Sequence, residues 1–478
     1  MFEIKKNTVI LIITAAVLVL LTVLTVVLLS IPKESGNESS VPDSSATSST
    51  ENHAFFDYAK EDIASVEISN EHGVYTLVRV AEGETSRIAL EGKESETLMS
   101  STASSAFNGA ATLKSNKLVS DDASKLSEYG LDNPSVTVKT TLKDGSVHTL
   151  YLGIESPAGG FYANTSESTD VYLITAFSAS YFQSARTDYY PTDLLGAYDA
   201  AAFRGLTVSR PGEKDIDVIR LTDEEYEAAM DAAEANIKSQ HELTSPFRYD
   251  VNSVYLQRVV EAVSGLNALE TVTDDVSASS LASYGLDKPK TLLIKDDGKK
   301  LLIGSKSSTA DVYYVMLDGR GVVYTASAES LSFIEDGADR YAYTMIGLVA
   351  LKNVKSLVIE TADKKYDFIC NDFDDLQKLE VSCDGKELPP DEFKKLYQQI
   401  FSATQNGLAE KPSSDLYLRV TYNKRDGSKV VMEYYKIDIT RYYAEVNGVG
   451  IFSVKADMVE KIAADCERIM NGEIITLV

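Results

Sequence analysis

The feature that most constrains this fold is a phrase written twice. "SEYGLDNPSV" begins at Ser127 and "ASYGLDKPKT" at Ala282, and both carry Tyr-Gly-Leu-Asp, one variable residue and Pro. Each sits within the same order of elements, which predicts tandem units. Upstream lie strand pairs around a polar turn, "ASVEISNEHGVYTLVRV" (Ala64–Val80) and "GLTVSRPGEKDIDVIRL" (Gly205–Leu221), and a third recurs as "VKSLVIETADKKYDFI" (Val354–Ile369). Their alternation of apolar and polar residues is that of hairpins with one buried face. A stretch of helical period follows each pair: "SETLMSSTASSAFNGAA", "VNSVYLQRVVEAVSGLNAL" and "PDEFKKLYQQIFSATQNGL", each with a glycine near its end. Next come strands joined at Asp144-Gly145, Asp297-Gly298 and Asp426-Gly427, a pairing that predicts two-residue hairpin turns. Aromatic strands ("VYLITA", "VVYTAS", "GIFSVK") and closing helices ("AFSASYFQSA", "SAESLSFIEDGA", "KADMVEKIAADCERIM") complete each unit. The third unit keeps this order but has "GLAEKPSSDLYL" in place of the phrase.

The phrase reads as a helix stop. Glycine adopts the left-handed conformation that ends helices, so Gly130 and Gly285 take the C′ position. Leu131 then packs on Leu126, and Leu286 on Leu281, as the Schellman motif requires. Pro134 and Pro289 block a helical restart and send the chain into a strand. Tyr129 and Tyr284 cover the junction. A ligand-binding loop is the alternative reading of the same residues.

With 478 residues the chain is too long for one core and suits about three domains. Residues Val9 to Leu29 are apolar and uncharged, long enough to cross a bilayer of about 30 Å. Lys5 and Lys6 precede them and place the N-terminus in the cytoplasm. The run ends "LLSIPKE" without a small-residue cleavage site, so an uncleaved signal anchor is expected, with a cleaved signal peptide as its rival. The following Ser/Thr-rich stretch reads as a disordered linker. The expected organisation is therefore residues 1–31 stub and anchor, 32–54 linker, and α+β units of antiparallel sheet with packed helices at 55–203, 204–348 and 349–478. The body is expected outside the cell membrane, on a single-pass anchor.

A net charge of −26 excludes nucleic acid as a partner and disfavours anionic polymers and lipid surfaces. The three cysteines, Cys370, Cys383 and Cys466, form no metal-ligand spacing; they are buried thiols or include one Cys370–Cys383 bridge. The four histidines (His53 in the linker, His72, His148 and His241) fit no hydrolase, metalloprotease or phosphate-loop motif. Gly448 and Gly450 in "NGVGIF" are a hairpin turn, and the acidic stretches "NDFDDLQ" and "LTDEEYEAAMDAAEA" match no calcium loop; the second starts a helix with "TDEE". No catalytic, cofactor-binding or metal-ligating residue is assigned, and no cofactor. The chain has 27 tyrosines and no tryptophan. Packing explains most of them, and in doublets such as Tyr313-Tyr314 one ring faces the core while the other is available to a partner.

The stretches "YGLDNPSVTVKTTLKDGSVHTLYLG" and "YGLDKPKTLLIKDDGKKLLIG" resemble the repeat of the bacterial domain-of-unknown-function family 4340. That resemblance implies a membrane-anchored extracytoplasmic accessory role, often beside ABC-transporter components, and brings no catalytic residue. The expected function is thus a non-enzymatic accessory or scaffold protein of a membrane complex. The alternatives are a substrate-binding module for glycan or peptide, favoured by a pocket lined by Tyr and carboxylates between units, and a cell-wall enzyme, for which no catalytic set is visible.

Overall fold

The computed structural model describes residues 53–82, 85–115, 117–232, 239–373 and 375–477. The expected anchor and nearly all of the expected linker lie outside the described residues. Among the described residues no helix is long and apolar enough to cross a membrane. His53 and Ala54, assigned to the linker from sequence, instead pair with Lys114–Ser115 as short strands, and the His53 ring stacks on Tyr172 at 3.9 Å.

Three antiparallel sheets of eight, nine and nine strands build the body, which forms one compact unit. In the first, the order runs from Thr85–Leu90 through Gly73–Glu82 and Ile63–Asn70 to a meander of Val136–Leu142, Val147–Glu155, Phe161–Thr165 and Ser168–Ile174. Leu118–Ser120 closes the far edge. The second sheet repeats the order, with Gly205–Ser209 beside the meander that starts at Lys290–Ile294, and Glu270–Thr273 on the far edge. The third repeats it again, with Val354–Thr361 beside Leu416–Lys424, and Gln405–Leu408 on the far edge. The second and third each add one short strand at the opposite edge, Tyr249–Asp250 and Lys386–Leu388.

Each sheet buries one face under a helix of matching period. Ser253–Val263 lays down Leu256, Val259, Val260 and Val263, and Pro390–Ser402 lays down Phe393, Leu396, Tyr397 and Ile400. Each such side chain contributes about 1.5–3 kcal/mol when fully buried. Ser100–Thr112 uses smaller residues (Ala103, Ala106, Phe107 and Ala110) and contains Gly109 in its interior, not at its end. A Cβ on Gly109 would meet the rings of Tyr181 and Phe182 at 2.8 and 2.9 Å, so the glycine permits close packing. The second helix ends as expected, its Ser264 cap followed by Gly265 at φ +72°, whereas the first and third end on Leu113 and Ala403 without a glycine next to the cap.

Two further expectations are corrected. The Asp144-Gly145 and Asp426-Gly427 turns are three-residue loops, closed by Gly145 N–H to Leu142 O at 3.0 Å and Gly427 N–H to Lys424 O at 3.1 Å. The Asp144 and Asp426 carboxylates accept the Ser146 and Ser428 amides, both at 2.8 Å, and only the glycines take positive φ. That favours a type I turn with a glycine bulge over the two-residue form, which needs positive φ twice. The two-residue form occurs instead at Asp384-Gly385 and Asn447-Gly448, where both residues have positive φ. Of the closing helices only Ala456–Asn471 is long; the other two expected stretches hold single turns, Ala176–Ser180 and Ser332–Glu335.

Candidate functional site

Both copies of the phrase form the same helix stop. Gly130 and Gly285 sit at φ +69°. Leu131 N–H reaches Leu126 O and Leu286 N–H reaches Leu281 O, both at 2.9 Å, while Gly130 bonds Ser127 O and Gly285 bonds Ala282 O at 3.2 Å. These are the two bonds of the Schellman motif. Each stop docks on a second glycine of the meander. A Cβ on Gly153 would lie 1.9 Å from the Tyr129 carbonyl oxygen, and one on Gly304 would lie 2.2 Å from that of Tyr284. Tyr129 packs on Tyr162 and Tyr284 on Tyr314, each with ring centroids 4.8 Å apart. The leucines Leu131 and Leu286 are buried beneath, Leu286 with Met316 and Val323 on the sheet face away from the main core. Gly153 and Gly304 were visible in the sequence as the last residues of the matched stretches, but spacing alone does not show that they face the phrase.

The joints between repeats are built alike. The residue before each helix donates to a connector carbonyl, Met99 to Tyr189 and Asn252 to Tyr341, both at 2.7 Å. Three residues on, the same connectors accept from the next repeat: Ala268 N–H to Thr192 O at 2.7 Å and Gln405 N–H to Thr344 O at 2.8 Å. At the first joint Asp274 accepts a hydrogen bond from Tyr190 Oη at 2.8 Å and forms an ion pair with Arg186, 2.8 Å from its Nε, and the buried Glu96 accepts Gly321 N–H at 2.8 Å. One hydrophobic cluster runs through both repeats, from Phe56 to Tyr341. The third repeat has its own cluster, joined through Tyr249, whose ring meets Phe452 at 5.1 Å.

At the second joint lies a polar, solvent-open pocket of about 540 Å³ lined by Tyr255, Arg258, Asp339, Arg340 and Asn406 among others. Arg340 lies over the Tyr255 ring, 5.4 Å from its centroid, and the Tyr255 hydroxyl donates to Asp336. That arrangement can hold a polar ligand; it presents no nucleophile–base pair.

On the third sheet a row of charges crosses neighbouring strands in place of the helix stop. Lys365 pairs with Glu360 at 3.2 Å, Arg419 with Glu360 at 3.6 Å and with Glu433 at 2.7 Å. Glu445 stands opposite Glu433, is almost fully buried, and accepts Lys411 at 2.8 Å. Burial raises the Glu433 carboxyl, but bonds from Arg419, Glu445 and Tyr435 outweigh it and hold it below the usual range.

The histidines stand apart. His72 is exposed in a turn, His148 Nδ1 lies 2.7 Å from Glu167, and His241 is buried with Nε2 2.7 Å from Phe203 O. Burial pushes the His241 imidazole below its ordinary pKa. Among the described residues no group of three or more His, Cys, Asp or Glu is placed to hold a metal ion. Cys370, Cys383 and Cys466 are free and buried, and burial raises each thiol, Cys370 to about 11. The acidic helix begins with a capping box, Thr222 N–H to Glu225 at 2.9 Å and Glu225 N–H to Thr222 at 3.2 Å. Among the described residues every tyrosine is at least partly buried. The doublets share out their faces within the protein, Tyr313 in the main core and Tyr314 in the cluster under the helix stop.

These features define a class: tandem antiparallel α+β repeats, two of them marked by a Tyr-Gly-Leu-Asp stop seated on a strand glycine. The chain belongs to the family described as Domain of unknown function (DUF4340), which matches residues 100–276 and 242–400, together more than half of the sequence. No curated protein matches it.

Proposed function

We propose that this chain is a membrane-anchored, extracytoplasmic accessory protein that serves as a non-enzymatic scaffold in a membrane complex. The observation that carries the reading is the fusion of the repeats. A capture module closes two lobes over its ligand about a hinge. Here the joints are tied by paired backbone bonds, by Asp274 and Glu96 at the first joint, and by a core common to two repeats. Joints of this kind suit a protein that holds fixed surfaces at fixed spacing. ABC-transporter components are the proposed partners, on the family resemblance.

The test is a pair of chimeras expressed in cells, crosslinked and recovered with their partners. The body on an unrelated membrane anchor is expected to retain the native partners, and the native anchor and linker on an unrelated body to lose them. Association that follows the native anchor overturns the reading. The second reading, capture of glycan or peptide, is favoured by the polar pocket around Arg258 and Arg340. It predicts that Arg258→Glu with Arg340→Glu abolishes ligand binding while partner recovery persists.

A further inference from the structure

We infer that the first repeat carries a binding site for a small, hydroxyl-bearing anion of the class of a phosphorylated or carboxylated sugar. A cavity of about 410 Å³ lies between the Ser100–Thr112 helix and the strands Gly73–Glu82 and Thr85–Leu90. Lys60, Arg79 and Arg87 line it, together with the hydroxyls of Ser86, Ser100 and Ser104. Its volume is that of a small-molecule site.

Neutral groups hold the two guanidiniums in place. Arg79 donates Nε to Ile63 O at 3.2 Å, one Nη to Ser86 Oγ at 2.9 Å and the other to Lys60 O. Its guanidinium lies over the Phe107 ring, 5.3 Å from the centroid. Arg87 donates to Glu96 O at 3.1 Å and to Glu94 O. Among the described residues, neither Arg79 nor the exposed Lys60 has a carboxylate partner, while Arg87 keeps a long ion pair with the largely exposed Glu82 at 4.0 Å. In a chain with 72 acidic and 46 basic residues this is against the trend, since Arg419, Arg441 and Arg468 all bond carboxylates. Arg79 is thus a half-buried cation without a counter-ion, which is costly, and an anion in the cavity relieves the cost.

The carbonyls orient each guanidinium yet leave it with unused N–H donors, since a guanidinium has five. Such a fork matches a carboxylate or phosphate. The serine hydroxyls suit the hydroxyls of a sugar. The net charge of −26 repels a long polyanion, but a small anion inside the cavity lies within about 10 Å of three cations, where their field is little screened.

The test is titration calorimetry of the full-length protein in mild detergent with glucose 6-phosphate, glucuronate, inorganic phosphate and glucose. Saturable binding is expected for the two anionic sugars, weaker binding for inorganic phosphate, and none for glucose. Either order of the two sugars upholds the site and tells which anion it prefers. Binding should weaken as salt is added. Ser104→Glu places a carboxylate in the wall at an exposed helix position and is expected to weaken binding at least about tenfold, Lys60→Gln about threefold. Unchanged thermal unfolding shows that both variants fold. Equal binding of glucose, undiminished binding by folded Ser104→Glu, or no saturable binding of any anion overturns the proposal.

Discussion

The first two repeats and the third share a strand order but differ in what covers the outer face of the meander. In the first two, the helix stop lies on Gly153 and Gly304 and buries Leu131 and Leu286. Nine residues after Asp144 stands Gly153; nine residues after Asp426, in a turn with the same bonds, stands Tyr435. The third repeat thus places a ring where the others place a carbonyl. Lys411 sits over that ring, 4.1 Å from its centroid, and the Tyr435 hydroxyl donates to Glu433 at 3.1 Å. The sheet topology survives the exchange, so the Tyr-Gly-Leu-Asp phrase is a local cover and does not determine the strand order.

The largest effect should come from the glycines under the stop. Gly153→Ala and Gly304→Ala put a Cβ against a backbone carbonyl, which no side-chain rotation relieves. The stop must lift and expose its leucine, at a cost of about 3 kcal/mol or more, read by chemical denaturation. Tyr435→Ala at the matching place of the third repeat removes a half-buried ring and should cost about 1–2 kcal/mol. Equal costs at the three positions would break the comparison.

Leu131→Ala and Leu286→Ala come next, at about 2–3 kcal/mol each, because both side chains are buried and the cavity cannot collapse beneath a fixed turn. Gly130→Val and Gly285→Val should cost at least about 1 kcal/mol through the left-handed backbone alone. A variant that keeps its thermal unfolding but loses partner recovery would turn the stop from a joint into a site.

The legible parts of this fold were those set by short-range chemistry. The Schellman stops, the hairpin strands, the buried helix faces and the capped acidic helix all follow from residues within a few positions of each other. What remained hidden depends on contacts across the sheet. Gly153 and Gly304 read as strand ends until a carbonyl is placed over them. The charge row from Lys365 to Glu445 is spread over separate strands, and only register brings it together. The Asp-Gly turns misled because each aspartate carboxylate accepts the backbone amide two residues on, at Ser146, Lys299 and Ser428, in loops longer than the two-residue form. The cavity cations Lys60, Arg79 and Arg87 belong to three different elements, and no spacing unites them.

Acid separates the repeats in another way. The third repeat has no histidine, whereas the second buries His241. Burial lowers the folded pKa of His241 below the unfolded value of about 6.5, so the unfolded chain binds the proton more readily. Stability from this group is fully present above that value and is lost as pH falls from about 6.5 toward the folded pKa. Amide exchange followed at decreasing pH should show protection around His241–Ser245 falling before protection around Val354–Thr361. His241→Gln should remove that part of the pH dependence. Loss of protection in both regions at the same pH would show that the repeats open as one body.

The smallest expected effect lies in the third core. Tyr422 and Tyr434 are fully buried and their hydroxyls have no hydrogen-bond partner among the described residues. At the position of Tyr434 the first repeat has Leu152, eight residues after Asp144 as Tyr434 is eight after Asp426. An apolar side chain therefore fits that place in the shared sheet. A buried unpaired hydroxyl costs about 1–3 kcal/mol of desolvation, while the ring contributes its area with or without the oxygen. Tyr434→Phe should then leave stability unchanged or raise it by up to about 1 kcal/mol, and Tyr422→Phe should behave alike. A loss of more than about 1 kcal/mol in either variant would mean that the hydroxyl is satisfied, by a water held between the two rings. The third repeat would then differ from the first two in its core as well as in its cover.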